Sequence, residues 1–527
     1  MITTVEVPTS RCRFGMARVD ITPPAGIYHR MWGAARQDRA TGVHQPLFAT
    51  AVAWAGLHDH AASAPFVLVA LDHCLLWPAE MAELRAAVLD HVAVPPERLL
   101  ITFSHTHGAG LIDRGRSHLP GGELLGPYFS ELCRRAAACA RQAVQQLAPV
   151  TITYGAGKCS LAGHRDFWDE RSRQWVLGWN PDGPADETVL VARITTANDT
   201  PVAAPAPLTP TASHVPPTPT PSHAAVTPTP SHAAVTPSAS GRQPAETLVA
   251  TVVNYACHPT SLAWENSLIS PDYVGALRDT IERCTGAPCL FLQGASGDLG
   301  PRYGFVGDPA VADRNGRQLA YAALSALEGL PPPNTRQTYV GPVVSGATIG
   351  VWAYESCDAE QQERAKVFAC RRVNVPLPYR ADRPALPALE RERGEWQAKE
   401  QAALSAGDDR TAQEARAMVE RCTRAITRWS QAPAGDTFLY ELTFLRLGDA
   451  VWVFGEGELY QDFQRELRRR CPQRTLIIGE LADGWRCTYL PTRDTYGKGI
   501  YEEQVALLAP GCLERVIDAA VASLASL

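Results

Sequence analysis

The sequence predicts an α/β protein with mixed β-sheets flanked by helices in one large catalytic domain. Three observations carry that reading. Apolar runs of strand length alternate with helix-forming stretches along most of the 527 residues. Several of these runs end in turns bearing histidine or glutamate, and loops held by a rigid sheet are where catalytic groups concentrate. Two segments break the pattern, residues 201–245 by composition and residues 388–430 by charged, helix-favouring character. A chain this long holds two to four average domains, or one large enzyme domain with insertions. The two breaks read as an insertion and an arm, so the expected unit is a single catalytic domain over 1–527.

Residues 66–72 form a buried strand. A helix follows over 78–92, with Pro78 in its first turn, where the missing N–H is not needed. Residues 99–103 form the next strand. This β-α-β order puts the following loop at the carboxyl end of a strand, where α/β sheets bind ligands. A further helix spans 128–147. Val-rich runs at 188–195 and 247–255 read as the two strands of a hairpin, with 201–245 inserted at its tip. There Thr218-Pro-Thr-Pro-Ser-His-Ala-Ala-Val226 recurs at 227–235. Such a composition lacks the apolar groups to offset ordering entropy, which predicts disorder with polyproline character. Its His214, His223 and His232 read as solvated linker histidines. Residues 388–430 are alanine-rich and broken at Ser405-Ala-Gly-Asp-Asp409, which predicts two antiparallel helices. This arm reads first as a solvated helical hairpin packed on its parent domain, with a dimer contact or a lid as alternatives. Strands at 437–446, 450–454 and 475–478 follow, with a helix over 461–470 between the last two.

A hydrophobic content of 45% is ample for a core, and the net charge of −6, without a dense basic run, argues against nucleic-acid binding. Residues 1–20 lack the basic start and apolar core of a secretory leader. No stretch approaches the roughly 20 apolar residues of a spanning helix. The expectation is a soluble, cytoplasmic protein. The 14 cysteines are scattered, with no C-x-x-C pair, and read mainly as small buried hydrophobes.

Four distant residues then stand out. His105 lies in Ile101-Thr-Phe-Ser-His-Thr-His-Gly-Ala-Gly110, His258 in Val252-Val-Asn-Tyr-Ala-Cys-His-Pro-Thr260, Glu456 ends Val451-Trp-Val-Phe-Gly-Glu456, and Tyr489 sits in Thr488-Tyr-Leu-Pro-Thr492. Two histidines and a carboxylate, with a fourth position for water or a weak ligand, compose a usual catalytic zinc site. In an extended segment His107 points to the same side as His105. Pro259 forces extended backbone at His258. Glu456 has a competitor in Glu458, which also suits a helix start or the surface.

These segments are where the chain resembles the neutral/alkaline non-lysosomal ceramidases, in scattered blocks over nearly its whole length. Phe14-Gly-Met-Ala-Arg-Val-Asp-Ile-Thr-Pro-Pro24 is similar to the family's N-terminal signature. Ser104-His-Thr-His107, Asn254-Tyr-Ala-Cys-His-Pro-Thr260, Phe454-Gly-Glu456 and Thr488-Tyr-Leu-Pro-Thr492 resemble its metal blocks, in the same order. The resemblance implies Zn2+ on His105, His258, Glu456 and Tyr489, and it selects Glu456 over Glu458. It also implies that His107 and Arg165, in Gly163-His-Arg-Asp166, meet substrate, and that Tyr489 donates to an oxyanion. Asp298 or His107 would then shuttle the proton to the leaving group.

Gln293-Gly-Ala-Ser-Gly-Asp-Leu-Gly-Pro301 resembles the family's catalytic turn with one departure: Gly300 stands where the ceramidases carry a serine. The 38 residues after Tyr489 are too few for the family's immunoglobulin-like C-terminal domain, so poor access to membrane lipid is expected. The resulting expectation is a zinc-dependent hydrolase that cleaves a linear amide bond of a small, soluble N-acyl substrate with metal-activated water. The alternatives are a true ceramidase acting on lipid-like N-acyl sphingoid bases, and a catalytically retired metal-binding scaffold. A homo-oligomer through the arm is a further expectation.

Overall fold

The computed structural model describes residues 3–57, 64–197 and 247–527. Its centre is an eight-stranded sheet with the order Cys289–Gln293, Leu248–Tyr255, Thr188–Thr196, Ala148–Lys158, Thr9–Asp20, Phe48–Ala55, Phe66–Leu71, Leu99–Phe103. The pairs at the two edges are parallel and the five between them antiparallel. A second, four-stranded sheet runs Phe368–Pro378, Thr437–Leu447, Ala450–Gly455, Thr475–Gly479.

Side-chain alternation sorts these strands into four layers. In Leu99–Phe103, Leu100 faces one way while Leu99, Ile101 and Phe103 face the other, and Trp452 and Val453 divide likewise in the second sheet. Leu100, Leu190, Val252 and Leu292 of the large sheet share a core with Trp452, Phe454 and Ile477 of the small one. Trp54 and Trp452 meet there with ring centroids 5.1 Å apart. Burying a side chain of that size contributes on the order of 2–3 kcal/mol, and truncating it costs about 3–5 kcal/mol. The outer face of the large sheet carries helices Pro78–Leu89 and Leu125–Gln145 over one half, and Tyr273–Thr285 and Pro309–Glu328 over the other. Helices Asp462–Arg470 and Cys512–Ala525 cover the outer face of the small sheet. The mixed α/β architecture read from the sequence is therefore the observed one. Both parallel pairs are β-α-β units, as the sequence indicated for 66–103.

The hairpin at 188–255 is also present, with Thr195 opposite Leu248. The Pro/Thr/Ala-rich segment 201–245, with His214, His223 and His232, lies outside the described residues. Residues 386–431 form the two helices Leu386–Ala406 and Asp409–Gln431. Gly407 reverses the chain at φ 71°, a conformation glycine adopts without penalty. Asp408 then caps the second helix by accepting the Thr411 N–H at 3.0 Å. The arm is clamped ionically. Arg116 donates to both carboxylate oxygens of Glu420 at 2.7 and 2.8 Å, and Arg416 reaches Asp38 at 2.7 Å. Among the described residues, no helix is long and apolar enough to cross a membrane.

Candidate metal centre and active site

His105 and His258 follow strands close to opposite edges of the large sheet, yet their Nε2 atoms lie 3.2 Å apart. The sheet is curled enough for its edge strands to touch, and the loop after Thr475–Gly479 bridges them. Glu480 N–H donates to Gln293 C=O at 3.1 Å on one side, and Asp483 N–H donates to Ile101 C=O at 2.8 Å on the other. His105 leaves its strand at φ 66°, a left-handed conformation that β-carbons resist. His107 opens a short 3-10 turn instead of continuing an extended segment. The two rings still meet, with centroids 4.9 Å apart.

Both buried histidines have one nitrogen already committed. His105 Nδ1 lies 2.8 Å from Cys74 C=O, and His258 Nδ1 lies 2.7 Å from Ser296 C=O. A carbonyl only accepts, so each Nδ1 carries the hydrogen and each Nε2 presents a lone pair. Those two lone pairs face each other and the Glu458 carboxylate, whose Oε2 is 2.8 Å from His258 Nε2 and 3.2 Å from His105 Nε2. Three acceptors converging in a buried site call for a cation. The carbonyl bonds at Nδ1 are also the outer support that orients metal-binding imidazoles. Burial opposes charge on both rings. At His105 the neighbouring Cys74 and Glu458 overcome it and hold the pKa well above the ordinary range, whereas burial and then the Arg165 charge push His258 down to about 3. The cluster thus favours one positive centre, and His105, His258 and Glu458 fit a divalent metal. Cys74, His105 and His107 form a second close group, but the Nδ1 hydrogens of both histidines already go to carbonyls.

The carboxylate beside the histidines is Glu458, and Glu456, the residue expected from the sequence, is turned away from them. Glu456 is buried against Arg486, whose Nε donates to it at 3.0 Å, and it accepts the Glu441 N–H at 3.3 Å. The cause is the backbone between the two glutamates. Gly457 has φ 68°, and a β-carbon there would come 2.2 Å from Thr488 C=O. The kink lets Glu458 pair in parallel with Tyr489, which brings carboxylate and phenol to the same place. Glu458 is neither a helix start nor a surface group. Its other oxygen accepts the Trp485 indole N–H at 2.6 Å.

Tyr489 lies where the sequence suggested, with its hydroxyl 3.4 Å from His258 Nε2 and its ring stacked at 10° on that imidazole. Arg165 Nη2 donates to the phenol oxygen at 3.0 Å, and Arg165 Nε donates to Glu502 at 2.8 Å. Burial holds the Tyr489 pKa well above its ordinary value despite Arg165, so the phenol keeps its proton. Arg165 is therefore a buried residue of the site and not the partner of a surface acid. Burial also raises the pKa of Glu502 and of Asp166 beside it, so this acidic pair behind the guanidinium retains a proton near neutral pH. His107 Nδ1–H donates to His105 C=O at 3.0 Å, leaving Nε2 as an acceptor, and the Trp32 indole stacks on the ring at 5.2 Å.

Asp298 does not join these groups. Its oxygens accept the Gln461 backbone N–H at 2.8 Å and the Gln461 amide at 2.7 Å, and its C=O accepts the Arg165 N–H at 3.0 Å. It positions Arg165 through the backbone, which leaves His107 as the nearer candidate for proton transfer. Gly300 pairs with Gly163, and a β-carbon there would meet only Thr260 Oγ1 at 3.7 Å and Arg165 Cβ at 4.0 Å. The backbone does not demand glycine at 300, and a small side chain has room beside Arg165.

His107, Arg165 and Tyr489 line a cavity of about 550 Å³, and the helical arm supplies much of the rest of its lining. That size suits a small organic ligand. Sequence reasoning missed Glu458 as a site carboxylate, together with Glu502, Trp32 and the arm side chains. Glu458 carried a signal, the glycine before it, but Glu456 shares that signal.

No protein-family model matches the sequence, and no curated protein matches it either. Solved structures do match. The chain is similar to the neutral ceramidase from Pseudomonas aeruginosa, with a TM-score of 0.59 and 16% identity over 98% of this chain and 74% of that one. A structure described as ceramidase complexed with C2 matches with a TM-score of 0.57 and 16% identity over 99% of this chain and 76% of that one. The fold is neutral-ceramidase-like, in a divergent form.

Proposed function

We propose that this protein is a metal-dependent hydrolase, with zinc on His105, His258 and Glu458, that cleaves a linear amide bond of a soluble N-acyl compound. The observation that carries this reading is the convergence of two imidazole lone pairs and a carboxylate beside a protonated tyrosine held by a buried arginine. When bound, the ion supplies Lewis acidity, which lowers the pKa of a water to about 7 and polarises a carbonyl.

The remaining work falls to the chain's own groups. Arg165 occupies the phenol oxygen of Tyr489 and frees the O–H to donate to a carbonyl oxygen as negative charge develops there. Such a donor is worth most in a buried site, where it needs no reorganisation. His107 Nε2 accepts a proton from water and can return it to the departing amine. Trp32, stacked on His107, fixes that ring and turns an apolar face to the cavity. Asp298 holds Arg165 in register from behind.

A second reading, hydrolysis of N-acyl sphingoid bases, is favoured by the likeness to ceramidase structures. Gly300 argues against it, because the hydroxyl that the resemblance expects beside Arg165 is missing. Metal analysis of purified protein with turnover assays on matched short-chain N-acyl amides and long-chain ceramide tests both readings. About one zinc per chain and zinc-dependent turnover of the short amides is the expected result. Efficient ceramide hydrolysis instead would put the second reading first, and no zinc-dependent turnover of any amide would defeat both.

A further inference from the structure

The cavity beside the metal centre is lined by five arginines, and three of them are paired with carboxylates. Arg424 binds Glu420 and Met31 C=O, each at 2.5 Å, and Arg380 binds Asp382 at 2.5 Å. Arg421 donates to the Gln504 side-chain oxygen at 2.8 Å, and Arg165 is bound to Glu502. Among the described residues, Arg428, on the second arm helix, has neither a carboxylate nor an amide partner. It is half-buried, its Nε is enclosed without a hydrogen-bond partner, and among the described residues no ion pair reaches its guanidinium. The acids on the same wall are engaged elsewhere, Glu420 with Arg116 and Arg424 and Asp382 with Arg380, while Glu392 stands exposed.

Burial lowers the pKa of Arg428 to about 10, which leaves it cationic at neutral pH. A half-buried, unmatched guanidinium is unfavourable unless an anion satisfies it. Its planar fork suits two oxygens of one oxyanion. Trp32, Phe305 and Trp429 add apolar surface to the lining of the same cavity.

We propose that Arg428 binds an oxyanion on the substrate, so that the preferred substrate is an N-acyl amide with an apolar portion and a carboxylate or phosphate. This rests on the hydrolase reading above for the word substrate, but the anion site itself does not need catalysis.

The test uses the full-length protein and a pair of ligands whose sulfonamide bond resists hydrolysis, N-decylsulfonylglycine and its neutral ethanolamine counterpart, with the phosphate ester of the latter as a third. Calorimetric titration should show the two anionic ligands binding more tightly than the neutral one. Arg428→Met should weaken the anionic ligands by about 10- to 100-fold, the range for hydrogen bonds to charged groups, and leave the neutral ligand unchanged. Arg428→Lys should recover part of the loss, and whichever anion loses more to the variant names the natural group. In turnover assays on the matching carboxamides the loss should fall on KM.

Equal binding of charged and neutral ligands by wild type overturns the proposal. So does an unchanged preference in Arg428→Met, or in Arg428→Gln if the methionine variant does not fold. A clear anion preference without turnover of any amide would instead uphold the site and defeat the hydrolase reading.

Discussion

Replacing Glu458 by glutamine distinguishes Glu458 from Glu456, the carboxylate that the family resemblance selects, as the acid of the metal centre. The change keeps the volume and leaves an amide oxygen to accept the Trp485 indole N–H, now at 2.6 Å, so the fold should survive. What it removes is the one negative charge facing the Nε2 atoms of His105 and His258, themselves 3.2 Å apart. Changes to groups that merely support a metal ligand weaken affinity by roughly 10–100-fold, so loss of a ligand charge should exceed about 100-fold. That factor is about 2.7 kcal/mol of binding free energy. Glu456→Gln makes the same chemical change two residues away, but keeps an oxygen for Arg486 and for the Glu441 N–H. Its effect on metal affinity should be below about tenfold.

The assay is competition for zinc against a chelator of known affinity, read on wild type, Glu458→Gln, Glu456→Gln and His258→Ala, with thermal melting as the control for folding. Glu458→Gln and His258→Ala should behave alike, and Glu456→Gln should follow wild type. Stoichiometric zinc in Glu458→Gln together with its loss from Glu456→Gln would refute the reasoning and restore Glu456 as the ligand.

Two further predictions follow from the same geometry. Gly300→Ser should fold with a melting temperature and metal content close to wild type, because the new β-carbon meets nothing nearer than 3.7 Å, and it should gain measurable turnover of long-chain ceramide. A failure to fold would show that the glycine is there for packing, and unchanged selectivity would remove the hydroxyl from the specificity argument. The arm clamp should titrate in acid. Burial alone would raise the Glu420 pKa, but Arg424 and Arg116 hold it down at about 2 against an ordinary 4.5, so its stabilisation is complete above about pH 4.5 and is lost as pH falls toward 2. The full shift corresponds to on the order of 3 kcal/mol, and Glu420→Gln should flatten that part of a stability-versus-pH curve, measured by denaturant titration. A curve of the same slope in the variant would place the acid sensitivity elsewhere.

Much of the fold was legible because it rests on local patterns. Leu99–Phe103, Thr188–Thr196 and Ala450–Gly455 are apolar runs of strand length, and the arm has a helix-forming composition with Gly407 at its reversal. His105 and His258 could be singled out because each follows such a strand. That they meet could not be read, because the contact depends on the curl of the large sheet and on Glu480 and Asp483 bridging its two edges. Backbone hydrogen bonds of that kind leave no side-chain pattern.

The choice between Glu456 and Glu458 failed for a related reason. Both follow the same strand, and which one faces the histidines depends on the left-handed turn at Gly457. Glycine permits that turn without requiring it, so the residues alone did not decide between the two, and the resemblance selected Glu456. Arg428 shows the same limit on a surface that looks ordinary. An arginine in a charged helix normally reads as solvated, and nothing in residues 409–431 distinguishes it from Arg421 or Arg424. Only the docking of the arm over the metal centre separates them: it gives Arg424 the carboxylate of Glu420 and Arg421 the amide of Gln504, and leaves Arg428 facing the cavity with neither. Groups that chemistry requires at a strand end can thus be found from sequence, whereas groups that select a substrate across a cavity emerge only once distant elements are packed together.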